Sequence, residues 1–170
     1  MRNGGNSTIM KAKSPIDHRI ETSELDAADR AILRELIADA RIARAELARR
    51  VRLSAPAVAE RVRRLEDRGI ITGYGARIDP RRLGYSLSVL IRARPSPGLM
   101  KDMVAAIEAT PQIVKCDRVS GEDCFIALAH VRDVGEMEAV IDRLVPFGAT
   151  NSSIIQSATV PERTWDLVGR

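Results

Sequence analysis

The stretch from Leu53 to Ile70 constrains this chain more than any other, because its caps, spacing and charge define one short helix with two unlike faces. Ser54 is a strong N-cap, Pro56 fits the first turn, where a missing N–H costs nothing, and Gly69 supplies a C-terminal stop. Val58, Val62 and Leu65 have the spacing of a stripe that packs on a core. At roughly 100° per residue, Ala57, Arg61, Arg64 and Arg68 fall within an arc of about 60° on another side. A short helix with small residues at its tip and an arginine ridge is built to enter a major groove. Its tip can approach base edges while arginines reach guanines or phosphates. The same pattern also describes a solvated, arginine-rich surface helix, so the residues before it matter.

Those residues predict two more helices. Ala45, Leu47, Ala48 and Val51 make a compact segment, and Arg52-Leu53-Ser54 is a turn of three residues into the arginine helix. That is a helix-turn-helix layout in which the second helix of the pair reads DNA. Upstream, Leu25, Ile32, Leu33, Leu36 and Ile37 recur at helical spacing, giving an amphipathic helix over about 25–39. Its stripe can cover the apolar sides of the two shorter helices. A helix-turn-helix domain is therefore expected over residues 23–70.

Charge points to the same partner. The chain carries a formal +4, with the excess in one half. Residues 1–80 hold sixteen Lys/Arg against twelve Asp/Glu, whereas residues 81–170 hold eleven of each. Within residues 41–68 there are nine arginines and four acids. A basic block confined to the helix-turn-helix is the electrostatic footprint expected for double-stranded DNA. Membrane-surface binding fits less well, since no stretch pairs this charge with exposed bulky apolar residues.

At 170 residues and 45% hydrophobic content, the chain can form one medium domain or two small ones. No apolar run approaches the ~18 residues that span a bilayer, and the N-terminus lacks an apolar signal core. An intracellular protein is expected. Cys116 and Cys124 are too few for a disulfide framework, and neither a Cys-x-x-Cys nor a Cys/His cluster indicates a metal. No cofactor is implied. Residues 1–22, rich in Asn, Gly, Ser and Lys without periodicity, read as a disordered leader. Residues 161–170 read as a tail.

The second half changes period. Tyr85, Leu87, Val89, Ile91 and Ala93 alternate with Ser86, Ser88, Leu90, Arg92 and Arg94, which predicts a strand. Ser96-Pro97-Gly98 then leads into a helix with the stripe Leu99, Met100, Met103, Val104 and Ile107. Residues 112–120 and 124–132 form a hairpin around Gly121-Glu122-Asp123. Asp133 with Glu136 is a capping box opening a helix, and a last strand runs over about 150–160. The chain is thus α+β: a three-helix helix-turn-helix domain, a connecting segment over 71–82, and a ferredoxin-like βαββαβ domain over 83–160. Both helices of the second domain lie on one face of its antiparallel sheet.

The strand over 124–131 is apolar on both sides. Cys124, Ile126, Leu128 and His130 point one way; Phe125, Ala127, Ala129 and Val131 point the other. An open sheet face should be polar. No helix remains to cover it, so a second copy of the domain, packed sheet on sheet, is the economical cover. A homodimer is expected.

Together these motifs resemble the Lrp/AsnC, or feast/famine, family of transcription regulators. The resemblance rests on Leu25-Asp26-x-x-Asp29-Arg30-x-Ile32-Leu33, Arg41-Ile42, Glu46-Leu47-Ala48 and Val51-x-Leu53-Ser54. It continues through Arg61-Val62-x-Arg64-Leu65-Glu66-x-x-Gly69-Ile70-Ile71-x-Gly73-Tyr74. Beyond the linker it takes in Asp79-Pro80, Leu83-Gly84 and Val119-Ser120-Gly121-Glu122. The resemblance implies a hinge strand from Ile71 to Asp79 that pairs across a dimer, pseudo-palindromic DNA sites, assembly to tetramers or octamers, and response to a small amino acid.

It also implies an effector site near the turn between the second and third sheet strands. Here that turn is Gly121-Glu122-Asp123-Cys124, with Cys124 where many members have an aspartate and Asp123 one place earlier. Gly121 is expected to offer backbone amides to a carboxylate, with Glu122 and Asp123 facing an ammonium. The stretch Phe147-Gly148-Ala149-Thr150-Asn151-Ser152-Ser153, with its small hydroxyl and amide side chains, is a second candidate lining, Thr150 and Ser152 foremost. Ordinary turn chemistry would explain the same residues without a ligand.

Siroheme decarboxylases share this architecture, so the fold alone does not exclude an enzyme. Such chemistry needs a basic or histidine pocket. This chain has only His18 in the leader and His130 inside an apolar strand, the latter better read as a buried or interface histidine than a catalyst. An architectural, chromatin-like DNA-binding protein is a third reading. The sequence favours a non-enzymatic, cytoplasmic, nucleoid-associated regulator without catalytic residues. Base reading is expected from Ala55, Ala57, Glu60 and Arg61, phosphate contact from Arg64 and Arg68, and a cap with a possible phosphate contact from Ser54.

Overall fold

In a computed structural model, residues 25–161 are described. The expected leader over 1–22 and all but the first residue of the 161–170 tail lie outside them. The chain divides into two units that meet at Tyr74 and Gly75, within the connecting segment expected over 71–82.

The first unit is helical. α1 (Ala27–Ala38) is capped by Asp26, whose Oδ1 accepts the Asp29 N–H at 2.7 Å. α2 (Arg44–Val51) ends at Arg52, a left-handed residue with φ 55° that turns the chain within three residues. α3 (Ala55–Asp67) starts as its caps require: Ser54 accepts the Ala57 N–H, Pro56 occupies the first turn, and Gly69 follows at φ 66°. Ile32, Leu33, Leu47, Ala48, Val58 and Leu65 form the buried core, one stripe from each helix. Residues 72–79 contain no assigned strand, so the hinge strand that the resemblance implies is not formed within this single chain.

The second unit follows the order expected. After a 3₁₀ turn at Pro80–Leu83 come β1 (Leu87–Pro95), α4 (Met100–Glu108), β2 (Ile113–Arg118), β3 (Phe125–Val131), α5 (Val134–Asp142) and β4 (Gly148–Ile154). The antiparallel sheet has the order β2-β3-β1-β4, with β1 and β3 in the centre. Val89, Ile91, Ala93, Phe125, Ala127, Ala129 and Val131 are buried together with Met103, Ile107, Val140 and Leu144 of the helical layer. The final strand stops at Ile154, short of the expected 160. Just past it the Ile155 N–H still donates to Ser88 O at 2.8 Å, beside Leu87, where its partner β1 begins.

The other face of the sheet carries a partly exposed apolar row. Leu90 pairs with Leu128, Arg92 with Ile126 and Ser88 with His130, and directly opposed residues share a face. Ile126 and Leu128 are half-buried and Leu90 is exposed. Beside them on β2 stand Lys115 and Asp117.

Candidate nucleic-acid interface and effector site

α3 turns three kinds of surface outward. Val58 and Leu65 face the core, Ala57, Arg61 and Val62 lie half-buried beside them, and Ala55, Pro56, Glu60, Arg63, Arg64, Asp67 and Arg68 are exposed. Ser54, Ala55, Glu60, Arg64 and Arg68 therefore lie on one exposed surface, and Ala57 lies at its edge. Arg64 and Arg68 have no acidic side-chain partner among the described residues.

Arg61 differs from the expectation of a base reader. Its Nη1 donates to Asp26 Oδ2 at 2.6 Å and to Asp29 Oδ1 at 2.7 Å. The Arg61 side chain is 25% exposed and that of Asp29 only 6%. A near-buried carboxylate needs a cation or donors nearby, and Arg61 is the cation within reach. The guanidinium thus holds α3 against the start of α1 instead of projecting from it. Asp26 is kept below the usual carboxylate range by the Asp29 N–H first and by Arg61 second.

The basic block is partly neutralised within the unit. Glu46 accepts from Arg49 at 2.7 Å and from Arg50 at 2.8 Å, and Arg50 also reaches Glu35 at 2.9 Å. Those two arginines hold the Glu46 carboxyl down at about 2. On α3, Arg63 makes a forked bond to Glu60 at 2.8 and 2.9 Å. Sequence reasoning passed over Arg63, although it lies on the exposed face one turn from Glu60. An i,i+3 acid–base pair is the signal that could have found it. Beyond α3, the Tyr74 hydroxyl donates to Glu66 Oε1 at 2.8 Å, and burial followed by that bond pushes its pKa up to about 12.

In the second unit the Gly121 turn does not stand alone. Gly121 has φ 110°, a conformation that favours glycine. The Cys124 N–H is engaged by Ala93 O at 3.1 Å, leaving the amides of Gly121, Glu122 and Asp123 without a backbone acceptor among the described residues. Glu122 pairs with Arg94 at 2.8 Å, and Asp123 lies 3.9 Å from Arg92. Arg92 also donates to Asn151 Oδ1 at 2.8 Å. Two cations, two acids and an amide are thereby gathered at one end of the open sheet face.

Thr150 and Ser152 are not part of that group. They pair with Ala93 and Ile91, which belong to the helix-covered face, whereas Asn151 pairs with Arg92. Alternation along β4 sends the two hydroxyls to the side opposite the charged cluster. Asn151, from the same expected stretch, is the β4 residue that the strand register turns toward the cluster.

Known proteins carry both units. A winged helix-turn-helix DNA-binding profile matches residues 25–72, and the Lrp/AsnC ligand binding domain matches residues 88–165. The HTH-type transcriptional regulator LrpA of Mycobacterium tuberculosis is 40% identical over 121 residues, covering 71% of this chain and 81% of that protein. The solved structure of Bacillus subtilis LrpC superposes with a TM-score of 0.77 at 31% identity, over 82% of this chain and 99% of the other. The feast or famine regulatory protein of M. tuberculosis complexed with L-methionine gives a TM-score of 0.77 at 36% identity, over 84% and 99%. These relatives are named as regulators, and the decarboxylase alternative is not favoured. Two domains matched in order, with relatives alike along most of their length, establish the conclusion: this chain belongs to the Lrp/AsnC family of DNA-binding transcription regulators.

Proposed function

We propose that the chain acts in the cytoplasm as a dimer or higher assembly, and that it contacts DNA through the exposed surface of α3 and binds a small amino acid at the Gly121 end of its sheet. The observation that carries the DNA reading is the exposed set Ser54, Ala55, Glu60, Arg64 and Arg68, with Ala57 at its rim. Ala55 and Ala57 allow close approach to base edges, Glu60 can accept from a cytosine amine once Arg63 swings to a phosphate, and Arg64 and Arg68 neutralise backbone charge. Arg61 acts through Asp26 and Asp29, holding the angle at which α3 is presented.

For the effector, the Arg92–Asp123 and Arg94–Glu122 pairs offer both charges a zwitterion needs. Its carboxylate can be taken by an arginine and the Gly121 amides, and its ammonium by Glu122 or Asp123. The L-methionine complex of the M. tuberculosis relative supports an amino acid as ligand. An apolar row on the same face supports closure by a second copy, which would place this cluster beside the interface. Ligand binding there would shift the assembly equilibrium, and DNA affinity with it, by its differential affinity for the two states.

Calorimetry with each standard amino acid, followed by DNA binding with and without the best ligand, tests this reading. Gly121→Val forces a side chain onto φ 110° and should abolish ligand binding while leaving basal DNA affinity unchanged. Equal ligand affinity in wild type and variant would place the effector elsewhere.

A further inference from the structure

The chain that leaves α3 is held to the helical unit in two stages. The Ile70 and Ile71 N–H groups both donate to Leu65 O, at 2.9 and 3.1 Å, and both side chains pack half-buried on the helical core. From Thr72 that hold ends. Residues 72–76 make no backbone hydrogen bond among the described residues, and the next helical turn begins only at Pro80.

One side chain interrupts the release. The Tyr74 hydroxyl donates to Glu66 Oε1 at 2.8 Å, eight residues back on α3. Its pKa, pushed up to about 12 by burial and then by that bond, keeps it a donor well past neutral pH. An O–H given to a carboxylate is among the stronger hydrogen bonds. On either side of it a Cβ built at Gly73 or Gly75 would meet no atom within 4 Å, so nothing packs against the backbone there. Glycine also has the widest backbone freedom of any residue. Tyr74 is thus an anchor set between two glycines, at the point where the chain passes from one unit to the other.

The place of the anchor sets the length of the tether. With Tyr74 held, the span to the Pro80 turn is residues 75–79, five residues; with Tyr74 released it is residues 72–79, eight residues. Three more residues add at most about 10 Å of reach, the length of about three base pairs. A held exit also resists rotation, and each base pair inserted between two half-sites turns one against the other by about 34°.

We infer that Tyr74 is a positioning residue for DNA recognition: by clamping the chain to Glu66 it shortens the tether of each reading helix and makes the assembly selective for the spacing of its two half-sites. The inference rests on the reading that two copies contact DNA through α3. Tyr74 itself meets no base. It acts through Glu66 and through the length of chain that its bond leaves loose.

Full-length protein and an operator selected from a random DNA pool test the assignment. Base pairs are added or removed between the half-sites, and fluorescence anisotropy reads the affinity of wild type, Tyr74→Phe and Glu66→Gln. A single half-site serves as reference. The measured quantity is the ratio of affinity at the best spacing to affinity two or three base pairs away. Taken within each protein, it cancels the charge lost in Glu66→Gln. That ratio should be about three- to tenfold smaller in both variants than in wild type, the equilibrium constant of the bond that wild type must break to reach a shifted site. At the best spacing Tyr74→Phe should lose only about twofold, because effective concentration falls as the −3/2 power of tether length. On the single half-site it should match wild type, since α3 is unchanged. The proposal is overturned if either variant keeps the wild-type ratio. It is also overturned if Tyr74→Phe weakens the single half-site as much as the full operator, for the bond would then only hold α3 in shape. A wild type that binds one half-site as tightly as two, or two at every spacing alike, would overturn the paired reading and this inference with it. A wild type with a clear best spacing that both variants share overturns this inference alone.

Discussion

The Asp26 carboxylate joins two helices with its two oxygens: Oδ1 accepts the Asp29 N–H at 2.7 Å and caps α1, while Oδ2 accepts from Arg61 of α3 at 2.6 Å. Asp29, nearly buried, takes a second bond from the same Arg61 nitrogen at 2.7 Å. Arg61→Ala would leave Asp29 without its cation. Full burial of a broken pair costs about 3–5 kcal/mol, and partial exposure of Arg61 places the expected loss near 2–3 kcal/mol. Thermal denaturation should therefore show a lower midpoint for the helical unit, and specific and non-specific DNA affinity should fall together. A variant of unchanged stability that loses only sequence discrimination would make Arg61 a base reader after all.

Acid should loosen the same unit. Asp26 and Glu46 both titrate below their ordinary values in the folded chain, Asp26 through its cap bond and Arg61, Glu46 through Arg49 and Arg50. A depressed carboxyl stabilises the fold above its unfolded value and loses that contribution as pH falls through the folded one. For Glu46 the window runs from 4.5 down to about 2. Glu46→Gln should show a shallower loss of helical circular dichroism across that window than wild type. Added salt should narrow the difference, because the group is exposed.

Arg64 and Arg68 carry the opposite expectation from Arg61. Neither has an acidic partner to lose among the described residues, so alanine at either should leave stability within about 0.5 kcal/mol. Each replacement should weaken binding to operator and random DNA alike and reduce the salt slope by about one unit. Fluorescence anisotropy at several salt concentrations measures both. An unchanged slope in the double variant would remove this edge of α3 from the interface.

What the sequence discloses depends on how far each interaction reaches. Ser54 caps α3 and Asp133 caps α5 from three residues away, so both ends were legible from spacing. Even the capping box at α5 holds only in part, for Glu136 returns its bond to Arg132 N rather than to Asp133. Arg61 meets a partner 35 residues distant, and helix periodicity carries no trace of it. The effector cluster failed at finer grain. The turn Gly121-Glu122-Asp123 was readable as a motif, but the choice between Thr150 and Asn151 is a one-residue register question that only the pairing with β1 decides.

Gly148 offers a test of that register. A Cβ there would lie 2.1 Å from Arg94 O and 2.7 Å from Pro95 Cα, both backbone atoms that cannot swing aside. Gly148→Ala should cost about 3 kcal/mol, the upper part of the range for overpacking. Forcing β4 away from β1 at this end would also displace Arg94 from Glu122. Chemical denaturation should report the destabilisation, and calorimetry should report weaker amino-acid binding at the Gly121 end. Wild-type stability in this variant would mean that β4 does not lie as close to β1 as the pairing of Pro95 with Gly148 requires.

The open sheet face supplies the last prediction. Leu90 and Leu128 oppose one another across the two central strands, with Ile126 beside them, yet none of the three is fully buried in the single chain. If a second copy covers this row, each side chain gains burial worth about 25 cal/mol per Å² of apolar surface. Leu128→Asp would then place a charge in the centre of an apolar contact, while in a lone chain it would point a charge harmlessly toward water. Sedimentation of the full-length variant at micromolar concentration should show monomers where wild type shows dimers or larger species. Circular dichroism should remain that of a folded chain, because the helix-covered core on the other face is untouched. DNA affinity should fall steeply as well, since two linked helix-turn-helix units bind far more tightly than one. A wild-type chain that sediments as a monomer would remove the sheet-to-sheet assembly. A Leu128→Asp variant that stays dimeric would move the contact to another surface, the first candidate being the unpaired segment over 72–79.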